Sequence, residues 1–366
     1  MKYRVLGRTG VQVSQLCLGS MMFGSFGNPD HVECTRIVHA ALDAGINFID
    51  TADVYSGGES EEIIGKALRG RRGHVVLATK VHHPMGENIN EHGSSRRWIT
   101  QAVDDSLRRL KTDWIDLYQL HRPDPLTDLE ESMGALTDLV RAGKVRYIGS
   151  CTFPGSMIAE SHWIAEKRGY ERFRCQQPPY SIFARGAEKD SLPTSTRYGM
   201  GVITWSPLSG GWLTGRYRHG EPFPKTTRGS IPANRTRAEG SQPVPARSLL
   251  GKPDPGDPII RRKLDIIDSL LKLADGTGIP LVHLALAFVL NHPAVTSAII
   301  GPRTIEQLEG QIDSVELKLS DEILDAIDQL VEPGSDVNPL GPEVGYQPPE
   351  ITDAWRRRRG AVGPPA

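Results

Sequence analysis

Eight short apolar runs, separated by stretches of helical period and with continuous apolar strand cores, constrain this chain more than any other feature. They are Val13–Leu18, Phe48–Asp50, Val75–Thr79, Ile115–Leu120, Val145–Ile148, Phe173–Gln177, Val202–Trp205 and Thr296–Ile300. A strand with one wet face alternates apolar and polar side chains. A strand without alternation is buried on both faces, as in a parallel sheet covered by helices. Helical patterns fall between the runs, at His31–Ala44, Glu61–Leu68, Arg96–Leu110, Leu129–Ala142, Ser156–Lys167 and Leu192–Tyr198, with Gly45, Gly70 and Gly143 near their ends. Two more helices, near Ile260–Ala274 and Pro280–Leu290, precede the last strand, and Ile305–Val315 follows it. Eight such units predict an α/β fold, the closed (β/α)8 TIM barrel. The rival open sheet, in its nucleotide-binding form, carries G-x-G-x-x-G after the first strand, and this chain has no such motif.

Two segments break the beat. Ser206–Pro258 is a long Gly/Pro/Arg-rich loop after strand 7, too long for a plain connection, and reads as a lid or mobile loop. Residues 333–366 carry seven prolines and the run Arg356–Arg359, and read as a C-terminal tail outside a barrel domain of residues 1–332. Lysine plus arginine number 43 against 44 acids, so the chain lacks the basic footprint of a nucleic-acid binder. The longest apolar stretch, Leu281–Leu290, is well short of the ~20 residues of a membrane span and includes His283. The first residues show no apolar signal core, and the four cysteines show no C-x-x-C spacing. A cytoplasmic protein with reduced thiols is the expectation. His82, His83 and His92 cluster without a metal-ligand spacing, so no metal is expected.

A barrel places its active site at the C-terminal ends of its strands. Strand 2 ends in Asp50 and runs on to Tyr55, strand 3 ends in Thr79-Lys80, and strand 4 ends in Leu120-His121. A carboxylate, a phenol, an ammonium and an imidazole thus converge on one rim. A tyrosine titrates near pH 10. A neighbouring ammonium is expected to lower that value, and Asp50 to keep Lys80 charged, which makes Tyr55 a tuned proton donor. His121 is placed to bond the same substrate oxygen. A site that protonates one oxygen without a nucleophilic serine, cysteine or metal points to carbonyl reduction, with hydride from a cofactor.

The set Asp50, Tyr55, Lys80 and His121 resembles the catalytic tetrad of the aldo-keto reductase superfamily. Leu6-Gly7-Arg8-Thr9-Gly10, the segment Gly45–Ala52, Gly143–Gly149, Trp205-Ser206-Pro207-Leu208, Gly211–Gly215 and Gly301–Leu308 resemble family segments in the same order. In style the chain is similar to bacterial reductases of the potassium-channel β-subunit branch. The resemblance implies a barrel with an N-terminal β-hairpin over its base, and NADPH, rather than NADH, as cofactor. It implies Tyr55 as general acid, Lys80 and Asp50 as its tuners, and His121 as the orienting group. Gln177, with Cys151 and Thr152 where the family usually has Ser-Asn, would hold the nicotinamide carboxamide, and Trp205 would stack on its ring. Ser206, Leu208, Leu213, Thr214 and Gly215 would cover the pyrophosphate; Gly301, Arg303, Gln307 and Gln311 would meet the adenosine end; Gly19, Ser20 and Met21 would close the floor. Arg303 would grip the 2′-phosphate. Gly310 stands where the family often has a carboxylate.

The implied function is NADPH-dependent reduction of an aldehyde or ketone, with Phe23, Tyr55, His82, His83 and His121 around the substrate. The implied partner is a small carbonyl compound, not nucleic acid or membrane, and a homo-oligomer is left open. Two alternatives stand beside it: an NADPH-binding redox-sensing subunit of slow turnover, and a keto-sugar reductase.

Overall fold

The computed structural model describes residues 1–224, 254–339, 341 and 344–345. A two-stranded antiparallel hairpin comes first, β1 (Tyr3–Val5) and β2 (Gln12–Ser14). The barrel strands follow: β3 (Leu16–Gly19), β4 (Phe48–Asp50), β5 (Val76–Val81), β6 (Ile115–Leu120), β7 (Val145–Cys151), β8 (Phe173–Gln177), β9 (Gly201–Thr204) and β10 (Ser297–Ile300). They form a closed barrel in chain order, β10 pairing with both β9 and β3, with every pairing parallel.

The connecting helices are α1 (His31–Asp43), α2 (Glu59–Ala67), α3 (Arg96–Leu110), α4 (Leu129–Arg141), α5 (Gly155–Arg168) and α6 (Ser191–Arg197), then α7 (Pro258–Thr277), α8 (Leu281–Asn291), α9 (Ile305–Ile312) and α10 (Asp321–Leu330). Side-chain oxygens accept the otherwise orphaned first N–H groups of several helices, from Asp30 on α1, Ser95 on α3, Asp128 on α4, Asp257 on α7 and Thr304 on α9.

The run Val13–Leu18, read as one strand, is two. Val13 and Ser14 end the hairpin, the chain turns at Gln15, and Leu16 starts the barrel. Residues of both pieces are buried, so burial alone hides the break. Helix α10 lies beyond the last helix read from the sequence, and its Ile327 is fully buried.

The core has two parts. Between sheet and helices lies the large cluster that includes Ile49, Leu77, Tyr118, Leu120, Ile148 and Leu136. Inside the barrel a small cluster joins Cys17, Phe48, Ala78, Leu117, Cys175 and Ile203 to Leu6 and Val13 of the hairpin end, which plug the base. Side chains alternate along a strand, so the residues two positions on face the same interior one layer nearer the mouth. Those residues are Gly19, Asp50, Lys80, Gln119, Gln177 and Trp205. On β4, β5, β6 and β8 the interior therefore changes from apolar to polar within one step. On β7 the matching residue is Gly149, where a Cβ would lie 3.2 Å from Gln119 Cγ and 2.8 Å from the Cys175 carbonyl oxygen. Only glycine leaves Gln119 its place.

Residues after 332 pack onto the barrel where they are described. The Gly186 N–H donates to Asp336 Oδ1 (2.8 Å), and Val337 N–H to the Phe183 carbonyl (2.9 Å). The run Arg356–Arg359 and the middle of the long loop, residues 225–253, lie outside the described residues. Among the described residues no single helix is long and apolar enough to cross a membrane. All four cysteines are free and buried.

Candidate active site

The polar interior layer is bonded into one unit. Lys80, fully buried on β5, reaches Asp50 Oδ2 at 2.6 Å, the Thr51 carbonyl at 2.8 Å and the Tyr55 hydroxyl at 3.3 Å. These three oxygens take the three ammonium hydrogens. The other Asp50 oxygen accepts from Gln177 Nε2 at 2.9 Å, with Gln119 Nε2 at 3.5 Å. Tyr55 sits just past β4, where Ser56 turns into the left-handed region (φ 52°) and the Ser56 hydroxyl donates to the Phe23 carbonyl. The His121 ring meets the Tyr55 ring edge-on at 5.8 Å, and its Nδ1 is buried without a partner.

Burial penalises the charge on Lys80, but Asp50 first and Tyr55 second more than offset it, so the ammonium is held above its ordinary pKa. For Tyr55 the balance runs the other way. Burial outweighs the stabilising charge of Lys80, and the phenol's pKa is raised. The expectation that the ammonium lowers it below the usual value is corrected: at rest the site keeps Tyr55 firmly protonated. Burial, then His83, Lys80 and Arg122, pushes His121 well below its ordinary pKa, so its imidazole is neutral.

A row of imidazoles leads outward from His121. His83 lies at 4.7 Å from it and His82 at 5.4 Å from His83, each edge-to-face. Burial depresses His83 strongly and His82 to about 4. Phe23 is placed elsewhere than expected. It is fully buried within the core, so it offers no surface to a ligand. Ser20 is likewise enclosed, its hydroxyl bonded to Ser60 and the Asp50 carbonyl, whereas Met21 is partly exposed.

Beyond β8 and β9 the residues expected to hold a cofactor form a second region. The Gln177 carbonyl accepts from Thr152 N–H, and Thr152 takes a left-handed φ of 60°. Cys151 Sγ lies 3.8 Å from Gln177 Oε1; burial holds its thiol above the ordinary pKa despite Arg122 and Lys80. The indole Nε1–H of Trp205 is buried without an acceptor. After it, Ser206 (φ 55°), Ser209 (48°), Gly210 (66°) and Gly211 (102°) hold the chain left-handed at four positions. Such turns gather backbone N–H groups into an anion-binding concavity. Leu208 and Gly215 border that loop, Thr214 bonds the Gly211 carbonyl, and Leu213 is buried beneath it.

Arg216 bonds Thr214 Oγ1 at 3.2 Å, and its charge, after burial, depresses the pKa of Arg303. Two guanidiniums thus lie within electrostatic reach of each other. Gly301 is exposed. Gln307 Oε1 is occupied by the Arg303 N–H at 2.9 Å, and the buried Gln311 donates to the Gln307 carbonyl. The Gln307 amide oxygen is thus taken by the loop before α9, and the Gln311 amide nitrogen by the backbone of α9 itself.

Three residues escaped the sequence reading. Gln119 was visible as the residue two beyond the interior Leu117. Arg122 directly follows His121, and Arg216 directly follows Gly215. In each case the signal was a polar side chain next to a position already singled out. Among the described residues no three His, Cys, Asp or Glu side chains form a metal-holding group.

A (β/α)8 barrel whose interior ends in a carboxylate, an ammonium, a phenol and an imidazole brings together groups able to hold and move a proton. The family model described as "Aldo/keto reductase family" matches residues 15–332, and the chain belongs to that family of oxidoreductases. It is 39% identical over 341 residues to the "Uncharacterized oxidoreductase YrpG" of Bacillus subtilis (strain 168), covering 90% of this chain and 96% of that protein. It is 34% identical over 340 residues to the "Probable voltage-gated potassium channel subunit beta" of Oryza sativa subsp. japonica, covering 91% and 97%. It is 32% identical over 357 residues to the "Versiconal hemiacetal acetate reductase" of Aspergillus parasiticus, covering 91% and 98%.

Proposed function

We propose that the protein is an NADPH-dependent reductase of aldehydes or ketones in which Tyr55 donates the proton. The observation that carries the reading is the buried Lys80 ammonium, bonded at once to Asp50 and to the Tyr55 hydroxyl. Burial keeps the phenol protonated until it is needed. When the proton leaves, the phenolate forms beside a fixed positive charge in a water-poor site, where the attraction is worth far more than in water. Neutral His121 has an N–H to give the same carbonyl oxygen. Asp50 prevents Lys80 from losing its charge, and Gln119 and Gln177 hold Asp50.

The residues fit a nicotinamide dinucleotide. Trp205 supplies a flat face and an N–H without an acceptor, Gln177, Cys151 and Thr152 lie at one side, and the left-handed loop, Arg216 and Arg303 offer donors to phosphates. Bound there, NADPH supplies the hydride. The pair of guanidiniums supports the extra phosphate of NADPH over NADH.

The test follows NADPH oxidation with a panel of aldehydes, ketones and keto-sugars, using cofactor deuterated at the nicotinamide C4. Deuterium carried onto the alcohol carbon is the expected result. Oxidation without deuterium in the alcohol would contradict the reading. The similarity to proteins described as potassium channel β subunits favours a second reading, a slow NADPH-binding regulatory subunit. Tight NADPH binding with scarcely any turnover across the whole panel would select it.

A further inference from the structure

We propose that Arg122 anchors an anionic group of the substrate, so that the favoured substrate is a carbonyl compound carrying a carboxylate. The inference rests on the reductase reading above and deepens it. Arg122 follows His121 at the end of β6 and is half-buried at the mouth. One nitrogen, Nη1, does all its bonding: to the His121 carbonyl at 3.0 Å, Thr152 Oγ1 at 3.3 Å and Cys151 Sγ at 3.5 Å. Its guanidinium carbon stands 5.9 Å from the Trp205 ring.

Among the described residues Arg122 has no counter-charge beside it. Arg72, Arg109 and Arg185 each have one, in Asp116, in Glu61, and in Glu188 with Asp328, while the half-buried Arg4, also without a carboxylate among the described residues, spends both terminal nitrogens on the Val295 and Leu290 carbonyls. Among the described residues no carboxylate lies within ion-pair distance of Arg122. The acids nearby are committed elsewhere. Asp50 is held by Lys80. Asp124 is spent on the backbone N–H groups of Ser94 and Leu126 and on the Thr127 hydroxyl. The three imidazoles add no negative charge, and burial together with Arg122 itself keeps them neutral. Among the described residues the Arg122 guanidinium is therefore without a direct ion-pair partner, on the side chain next to the group that faces the reacting oxygen.

A partly desolvated cation without a partner is costly, and a carboxylate satisfies it best through the guanidinium fork. The unused N–H groups of Arg122 offer that fork. The neighbouring donors without acceptors, Trp205 Nε1 and a ring nitrogen of His121, also suit a ligand rich in acceptors. The nicotinamide carboxamide is neutral and does not balance the charge.

The experiment compares 4-oxobutanoate and 4-carboxybenzaldehyde with their methyl esters, as kcat/KM, in wild type, Arg122→Met and Arg122→Lys. Each ester keeps the aldehyde and loses the charge. NADPH affinity of each variant is read from tryptophan fluorescence. Binding of benzoate against benzamide to the NADPH-loaded protein is measured by calorimetry, which needs no turnover. The wild type is expected to prefer each acid over its ester by about tenfold or more, the scale of a charge-assisted bond. Arg122→Met is expected to lose the preference and Arg122→Lys to keep part of it. Benzoate is expected to outbind benzamide only where the positive charge remains. No acid preference in the wild type, or an equal one in Arg122→Met, overturns the proposal. So does a loss in Arg122→Met shared by acid, ester and NADPH, which would assign Arg122 to the cofactor. If no carbonyl is reduced at all, the reductase reading fails, while the benzoate binding still decides the anion site.

Discussion

In the polar layer beneath the phenol, the charges are balanced within the protein: Lys80 is enclosed and matched to Asp50, and Asp50 is held in turn by Gln177. In the second region, Arg216, which follows a loop of left-handed backbone, brings a like charge to bear on Arg303. One region is assembled before anything binds, on strand ends whose register fixes each side chain. The other carries repulsion that an anion would relieve. The difference teaches where each kind of sensitivity lies: a substitution in the first region strikes the fold and the proton together, whereas one in the second strikes affinity and leaves the free protein intact.

The largest effect is expected at Lys80. Lys80→Met leaves Asp50 as a buried, unmatched carboxylate, at a cost of about 3–5 kcal/mol in urea unfolding. Turnover is expected to fall by about 10²–10⁴, because the phenolate then forms without its ammonium. A variant as stable as the wild type would show that the two regions do not differ in this way. Next comes Arg303→Ala, which removes a charge-assisted phosphate contact. Its NADPH Kd is expected to rise about 10- to 100-fold and its NADH Kd much less. Equal losses for the two cofactors would remove Arg303 from the 2′-phosphate.

A smaller effect comes from acid. His82 titrates at about 4 in the folded protein, below its unfolded value near 6.5. The unfolded chain therefore binds more protons between those values, and stability present above pH 6.5 is lost as pH falls towards 4. His82→Gln is expected to lose less stability over that window, as measured by urea midpoints at pH 7 and pH 4.5. The smallest expected change is none: kcat is flat from about pH 7 to 9, because Tyr55 and Lys80 titrate above their ordinary values and His121 below its own.

The sequence made the same contrast partly legible. All eight barrel strands could be read from short apolar runs set between helical patterns, because burial on both faces leaves a local mark. Asp50, Lys80 and His121 stood out because the barrel assigns strand ends a place. The break at Gln15 left no such mark, since residues on either side of it are buried. The sign of the Tyr55 shift could not be read either: it depends on burial exceeding one Coulomb interaction, a three-dimensional quantity. The capture of Gln307 Oε1 and Gln311 Nε2 by backbone groups was hidden for a related reason. An amide in a sequence does not reveal whether backbone groups have already taken it.

The most direct test of the account compares Tyr55→Phe with wild type in NADPH oxidation, with NADPH affinity measured on the same samples by tryptophan fluorescence. The account predicts turnover lower by about 10²–10⁴ with NADPH affinity preserved, because the phenol acts in the transition state rather than in cofactor binding. Comparable turnover in Tyr55→Phe would contradict it.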